Sequence, residues 1–283
     1  MHRMGAGVPP VADQERMPMF SLSAFRQEIP SRTYWLAVVI AAAGVALLWC
    51  MLTYGGYVTP IFLPSPTDVW NAATELCLSG VFAADFGRSC GRVFGGFMAA
   101  IIVSIPVGML MGNFRIIEAA FEPFLAFARY MPVPAFIPLI ILYAGIDEFS
   151  KMLVIFIGTA VQMIIMVSDV VKNVAADFCK VALTLGATPA EIARKVVWRA
   201  SLPGIVDVCR INLGWAWTYL IVAEVLAANQ GLGFRIIKAQ HLLNTSIIFF
   251  YLVVIGALGL GCDIAFRLSS ARLFPWTREY LGA

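Results

Sequence analysis

DFCKVALTLGATPAEIARKVVWRASLP, residues 177–203, is a long polar interruption in a chain that is otherwise mostly apolar. It carries Lys180, Glu191, Arg194, Lys195 and Arg199. Its middle is patterned as helix, break, helix. Gly186 stands where a helix would end, because glycine enters the left-handed cap conformation without a steric penalty. Thr188-Pro189-Ala190-Glu191 then has the form of a helix start. Thr188 can cap, Pro189 brings the φ that a first turn needs, and Glu191 can reach back to the cap. The expected second helix runs to about Ala200 and stops near Pro203. Spacing alone leaves two readings open: an element presented to a partner in the water phase, or an ordinary solvated loop.

Composition explains why such an interruption stands out. The chain has 283 residues, of which 60% are hydrophobic and 13% charged. A soluble domain carries about a quarter charged residues, so this is an integral membrane protein. Six cysteines, at 50, 77, 90, 179, 209 and 262, have neither metal-ligand nor redox spacing and are expected as small hydrophobes. His2 and His241 are too few for a histidine metal site. No phosphate loop, zinc motif or nucleophile elbow is present. A nucleotide hydrolase is therefore not in this sequence, and no nucleic-acid partner is expected.

Outward from the central stretch, six spans are expected. Residues 1–32 are a polar tail with a short amphipathic piece near Phe20–Phe25. Tyr34–Leu52 is the first span, long enough to cross the hydrocarbon core. Asp68–Leu78 is an amphipathic surface helix started by Ser65-Pro66-Thr67-Asp68. Val93–Met111, preceded by Arg92, is the second span, with small faces at Gly95, Gly96, Gly108 and Gly112 suited to close packing. Asn113–Arg129 is a polar-edged, partly helical connection. The third span, Tyr130–Ile146, has prolines at 132, 134 and 138 and an irregular first half. Irregular backbone at membrane depth survives only inside a bundle or beside a wet cavity. That span is either the lining of a pathway or a kinked structural helix. Met152–Ser168 is the fourth span. The fifth, from about Ile205 to Ala228, carries Arg210 and Glu224. A charge within a span marks a candidate functional site, although an interfacial carboxylate in contact with water would look the same. Ile247–Arg267 is the sixth span, and 268–283 a polar tail.

Six spans put both termini on one side, together with 113–129 and 169–207. With the flanking Arg210 and Arg267, that side holds fifteen of the twenty basic residues. The positive-inside rule makes it cytoplasmic.

These residues resemble the permease subunit of a binding-protein-dependent ABC importer. The family's cytoplasmic loop has Glu-Ala-Ala, three residues, Gly, nine residues, an apolar residue, one more, then Leu-Pro. Lys180-Val181-Ala182 stands at the Glu-Ala-Ala, Gly186 falls at the glycine, and Val196 follows after nine residues. Trp198-Arg199 stands where Leu-Pro is usual, and Leu202-Pro203 follows. Leu63-Pro64-Ser65-Pro66, the run Pro134–Ile146, Ile221-Val222-Ala223-Glu224 and Gly231-Leu232-Gly233-Phe234 are similar to the nitrate/sulfonate/taurine branch.

The resemblance implies an all-α fold: six transmembrane helices of the type I, MetI-like kind over 33–267, with a cytoplasmic coupling helix in 177–203. It implies a bacterial inner-membrane location and transport rather than catalysis. Gly186, Ala187, Thr188, Pro189, Ala190, Glu191, Arg194, Lys195 and Trp198 are the expected contact to an ATP-binding subunit. ATP and Mg belong to that partner, and no cofactor is expected in this chain. Two such subunits, a second permease expected to be identical, and an extracytoplasmic substrate-binding protein complete the assembly. The branch handles sulfonates, taurine, nitrate and bicarbonate, and some relatives carry vitamin precursors. Met131, Pro132, Phe136, Trp217 and Glu224 are the candidate path residues. A carboxylate at 224 is awkward for anion passage, so Glu224 is expected to pair with Arg210 or Arg235, or to sit off the path. The rival class, a secondary transporter working alone, predicts an internal repeat that the sequence does not display.

Overall fold

The computed structural model describes residues 30–276; the tail expected over 1–32, with its amphipathic piece near Phe20–Phe25, and the end of the 268–283 tail lie outside the described residues apart from 30–32 and 268–276. Every regular element among the described residues is helical. In chain order they are α1 Ser31–Tyr54, α2 Pro66–Leu78, α3 Val81–Asn113, α4 Arg115–Arg129, α5 Ile137–Ala144, α6 Glu148–Lys172, α7 Ala176–Thr184, α8 Pro189–Glu191, α9 Trp198–Ala227, α10 Leu232–His241 and α11 Thr245–Leu273. A 3-10 turn, Val133–Phe136, precedes α5. A π-helical turn, Ile192–Val197, joins α8 to α9.

The chain divides into two compact units, Met1–Met51 and Leu52–Ala283. In the first, the described part of α1 is apolar and exposes large side chains such as Trp35, Ile40 and Leu47, as a lipid-facing helix must. The second unit is built on α3, α6 and α9. Small residues let α3 lie against α6. A Cβ added at Gly96 would meet the Met152 carbonyl at 2.7 Å, at Gly108 the Val167 Cβ at 2.7 Å, and at Gly112 the Val171 Cβ at 2.5 Å. Packing of small faces replaces the hydrophobic drive that lipid removes. Ser104 adds an interhelical bond, its hydroxyl donating to the Ala160 carbonyl at 3.1 Å. Ile155, Met163, Val167, Ala216 and Leu220 form the dry centre of this three-helix core.

Five helices among the described residues are long and apolar enough to cross a membrane, and six spans result if α4 and the 133–144 segment form one bent span. Three expectations need correction. The second span does not begin at Val93: α3 starts at Val81 and carries Arg92 inside it, 2% exposed. The connection at 113–129, expected to be partly helical, is helical over most of its length as α4. The third span is not one helix. Two helical pieces meet at 92° across the Pro132 break, and α5 has only eight residues, a rise of about 12 Å. Finally, the helix beginning at Thr188 does not stop near Pro203. It runs through the π-helical turn into α9 and on to Ala227, with Pro203 inside. Tertiary packing outweighs one lost backbone bond there, since Val197 and Ile205 on either side are 5% and 2% exposed.

Candidate functional site

The polar interruption folds as its caps dictate. α7 ends at Thr184, and Gly186 takes φ +80°. Its N–H bonds the Leu183 carbonyl, and the Ala187 N–H reaches back to Ala182 at 3.1 Å. Thr188 and Glu191 form a reciprocal capping box. The Thr188 N–H donates to Glu191 Oε2 at 3.1 Å, and the Glu191 N–H donates to Thr188 Oγ1 at 3.4 Å. Lys195 holds the other carboxylate oxygen at 2.9 Å. Ile192 and Val197 face inward, while Ala190, Arg194 and Lys195 are exposed. Trp198 is half-buried against the core. The result is a capped, solvent-facing turn anchored on its apolar side and continuous with the 30-residue α9. The turn at Ala190 thus runs on into a helix rather than into a loop.

One stripe of α6 borders a series of cavities. Lys151, Gly158, Gln162, Ile165, Asp169 and Lys172 recur at helical three- and four-residue steps, with one turn skipped, and line three cavities in turn. From Lys151 to Lys172 the helix rises about 32 Å, close to the hydrocarbon thickness of about 30 Å. The largest cavity, about 520 Å³, lies in the middle. The broken segment supplies Met131, Pro132 and Phe136; α6 supplies Gly158 and Gln162; α9 supplies Trp215 and Tyr219. Trp215 and Tyr219 stack with centroids 6.4 Å apart and planes at 27°. The cavity at the Lys151 end, about 250 Å³, is lined by Arg88, Arg92, Glu148 and Gln230 among others.

Behind that end lies a buried polar cluster. Asp85, Ser89 and Arg92 share one face of α3 at four- and three-residue spacing. Arg92 donates to Glu224 Oε1 at 2.6 Å, to both Glu148 oxygens at 2.5 and 2.7 Å, and to the Gln230 carbonyl at 2.7 Å. Glu224, fully buried, also accepts from Ser89 Oγ at 2.6 Å and from the Gly233 N–H at 2.8 Å. Asp85 accepts from Arg235 at 2.8 Å, Tyr251 at 3.1 Å and the Gly231 N–H at 3.0 Å. The cluster thus pins the 229–233 turn and α10 to α3. Gly231, at φ +131°, is required: a Cβ there would lie 2.5 Å from the Glu224 carboxylate.

Residues 104–278 match the family described as binding-protein-dependent transport system inner membrane component. The chain belongs to this family. The permease is 39% identical over 228 residues to a probable ABC transporter permease of Brucella melitensis, covering 81% of this chain and 92% of that one. It is 29% identical over 267 residues to a putative aliphatic sulfonates transport permease of Bacillus subtilis, covering 94% and 97%. Identity to the taurine transport system permease of Escherichia coli is also 29%, over 254 residues, covering 88% and 92%. The permease therefore sits among the nitrate/sulfonate/taurine-type transport proteins. Its fold is similar to a chain of the MetNI methionine ABC transporter, with a TM-score of 0.61 at 21% identity, covering 71% of this chain and 97% of that one.

The structure sorts the path candidates of the permease. Met131, Pro132 and Phe136 line one cavity together. Trp217 does not: it faces the core at 6% exposure, two residues and about 200° round the helix from Trp215. Glu224 is off the cavity, in the ionic cluster, and pairs with neither Arg210 nor Arg235. Arg210 instead pairs with Asp207 and Asp263, at 2.7 and 3.2 Å, and Arg235 with Asp85. Sequence reasoning missed Gln162, Trp215 and Tyr219 as cavity residues, and the entire Asp85–Ser89–Arg92 face. The four- and three-residue polar spacing on α3 was the available signal. It was masked by placing the helix start after Arg92.

Proposed function

We propose that this chain is the membrane-spanning subunit of an ATP-driven importer, handing a small solute from an extracytoplasmic binding protein to the cytoplasm. The solute is a small anion of the sulfonate, taurine, nitrate or bicarbonate kind. Family membership and the sulfonate and taurine relatives support this reading. The observation that carries the mechanism is the mechanical continuity of the capped turn 188–191 with α9. Residues 186–198 are the contact to one of two ATP-binding subunits, which supply ATP and Mg. Two copies of the permease pair, and both termini lie in the cytoplasm. The opposite face, including 147–151 and 229–245, receives the binding protein.

ATP binding moves the capped turn, α9 follows as a rigid lever, and Trp215 and Tyr219 shift against α6. Met131, Pro132 and Phe136, on backbone freed from helical bonding by prolines, form the opposite wall of the solute path. The test is ATP-dependent uptake with reconstituted partner subunits. Gly186→Val and Glu191→Pro should abolish uptake and uncouple ATP hydrolysis while leaving the chain in the membrane. Uptake undiminished in both variants would refute the coupling role.

A further inference from the structure

We propose that Gln162, which lines the central cavity together with Arg129, Trp215 and Tyr219, is the selectivity-determining contact for the solute's polar head. This rests on the reading of the central cavity as the solute path. Gln162 lies near the middle of α6, ten residues before its end at Lys172. An amide offers two donors and an acceptor with two lone pairs. Among the described residues no protein group pairs with the Gln162 side chain, although it lines the 520 Å³ cavity. An amide kept unpartnered at membrane depth is costly unless water or solute satisfies it.

The surroundings fit a solute with two unlike ends. Arg129 is the only charged residue lining this cavity. It donates to Tyr130 Oη at 3.1 Å and lies 5.1 Å over that ring, and among the described residues it forms no ion pair. Arg129 also lines the neighbouring cavity, where Glu122 and Asp169 stand, but the lining of the central cavity is, among the described residues, positive, with a neutral amide and no carboxylate. That combination accepts an oxyanion head. In the same cavity, the stacked Trp215–Tyr219 pair offers an apolar face. Gly158, one turn before Gln162, makes room for it: a Cβ there would lie 2.5 Å from Tyr219 Cδ2. Glycine at 158 thus lets the Tyr219 ring pack directly on α6, one turn before residue 162.

The experiment uses the full transporter, with native cysteines replaced, in lipid nanodiscs. Single cysteines at Gln162, Met131 and the core position Val167 are treated with 2-sulfonatoethyl methanethiosulfonate and with its trimethylammonium analogue. Each rate is normalised to a free thiol, and elution of the intact complex reports folding. Gln162→Cys and Met131→Cys should react while Val167→Cys does not. The sulfonate reagent should be favoured at Gln162→Cys by about tenfold, the size of a modest electrostatic concentration in a cleft, and Arg129→Gln should remove that preference. If Met131→Cys reacts and Gln162→Cys is as inert as Val167→Cys, the assignment of Gln162 is wrong and the path reading survives. If both are inert, both fall. Reaction at Gln162→Cys without charge preference refutes the anionic-head assignment.

Discussion

Removing the cation at Arg92 should destabilise the permease more than truncating any other charged side chain of the buried cluster. In Arg92→Met, Glu224 stays fully buried with the Ser89 hydroxyl and the Gly233 N–H as remaining donors, at 2.6 and 2.8 Å. It loses its only ion-pair partner. Breaking a buried pair from one side costs about 3–5 kcal/mol. Glu224→Gln perturbs less. Arg92 keeps Glu148, whose side chain is 49% exposed, and the Gln230 carbonyl. The new amide must nonetheless point its NH₂ at another donor, either the Gly233 N–H or the Ser89–Arg92 pair, which costs about 1–3 kcal/mol. The double variant Arg92→Met/Glu224→Leu leaves no uncompensated Glu224 charge. It should be more stable than Arg92→Met alone, a coupling of about 0.5–3 kcal/mol. The assay is unfolding of the purified permease in mixed micelles of rising denaturing-detergent fraction, followed by tryptophan fluorescence. If Arg92→Met cost under about 1 kcal/mol, the range of an exposed pair, or if the double variant were worse than the sum, the cluster would not be the pin described.

Three further outcomes follow from single positions. Gly158→Ala drives a methyl into the Tyr219 ring; overpacking of this kind costs about 1–3 kcal/mol, and the same micelle titration reads it. Thr188→Ala removes the cap acceptor and should cost the turn about 1 kcal/mol. Global stability should barely move, while amide exchange at Glu191 accelerates. Gly231→Ala combines positive φ with a Cβ at 2.5 Å from the Glu224 carboxylate. It should lower the yield of folded permease at least as much as Arg92→Met, measured as the monodisperse fraction on size exclusion.

The sequence makes much of this legible through local chemistry. The Ser65 and Thr188 capping boxes and the Gly186 break stand where the residue pattern puts them, because a cap is decided by four or five neighbouring residues. The glycine faces of α3 announce close packing. What the pattern hides is decided by distant partners. Arg92 looks like a helix boundary until Glu148 and Glu224, 56 and 132 residues away, neutralise it. Pro203 looks like a stop until packing at Val197 and Ile205 holds the helix through it. Trp215 and Trp217 are indistinguishable by composition. Only the phase of α9 against α6 sends one into the cavity and the other into the core.

The lever account is tested most directly by a photo-crosslinking residue at Ala190, an exposed position on the capped turn, in cells that make the whole transporter. The account predicts one adduct, to the ATP-binding subunit, whose yield changes when ATP is trapped. An adduct to the extracytoplasmic binding protein, or none in an assembly that copurifies intact, would contradict it.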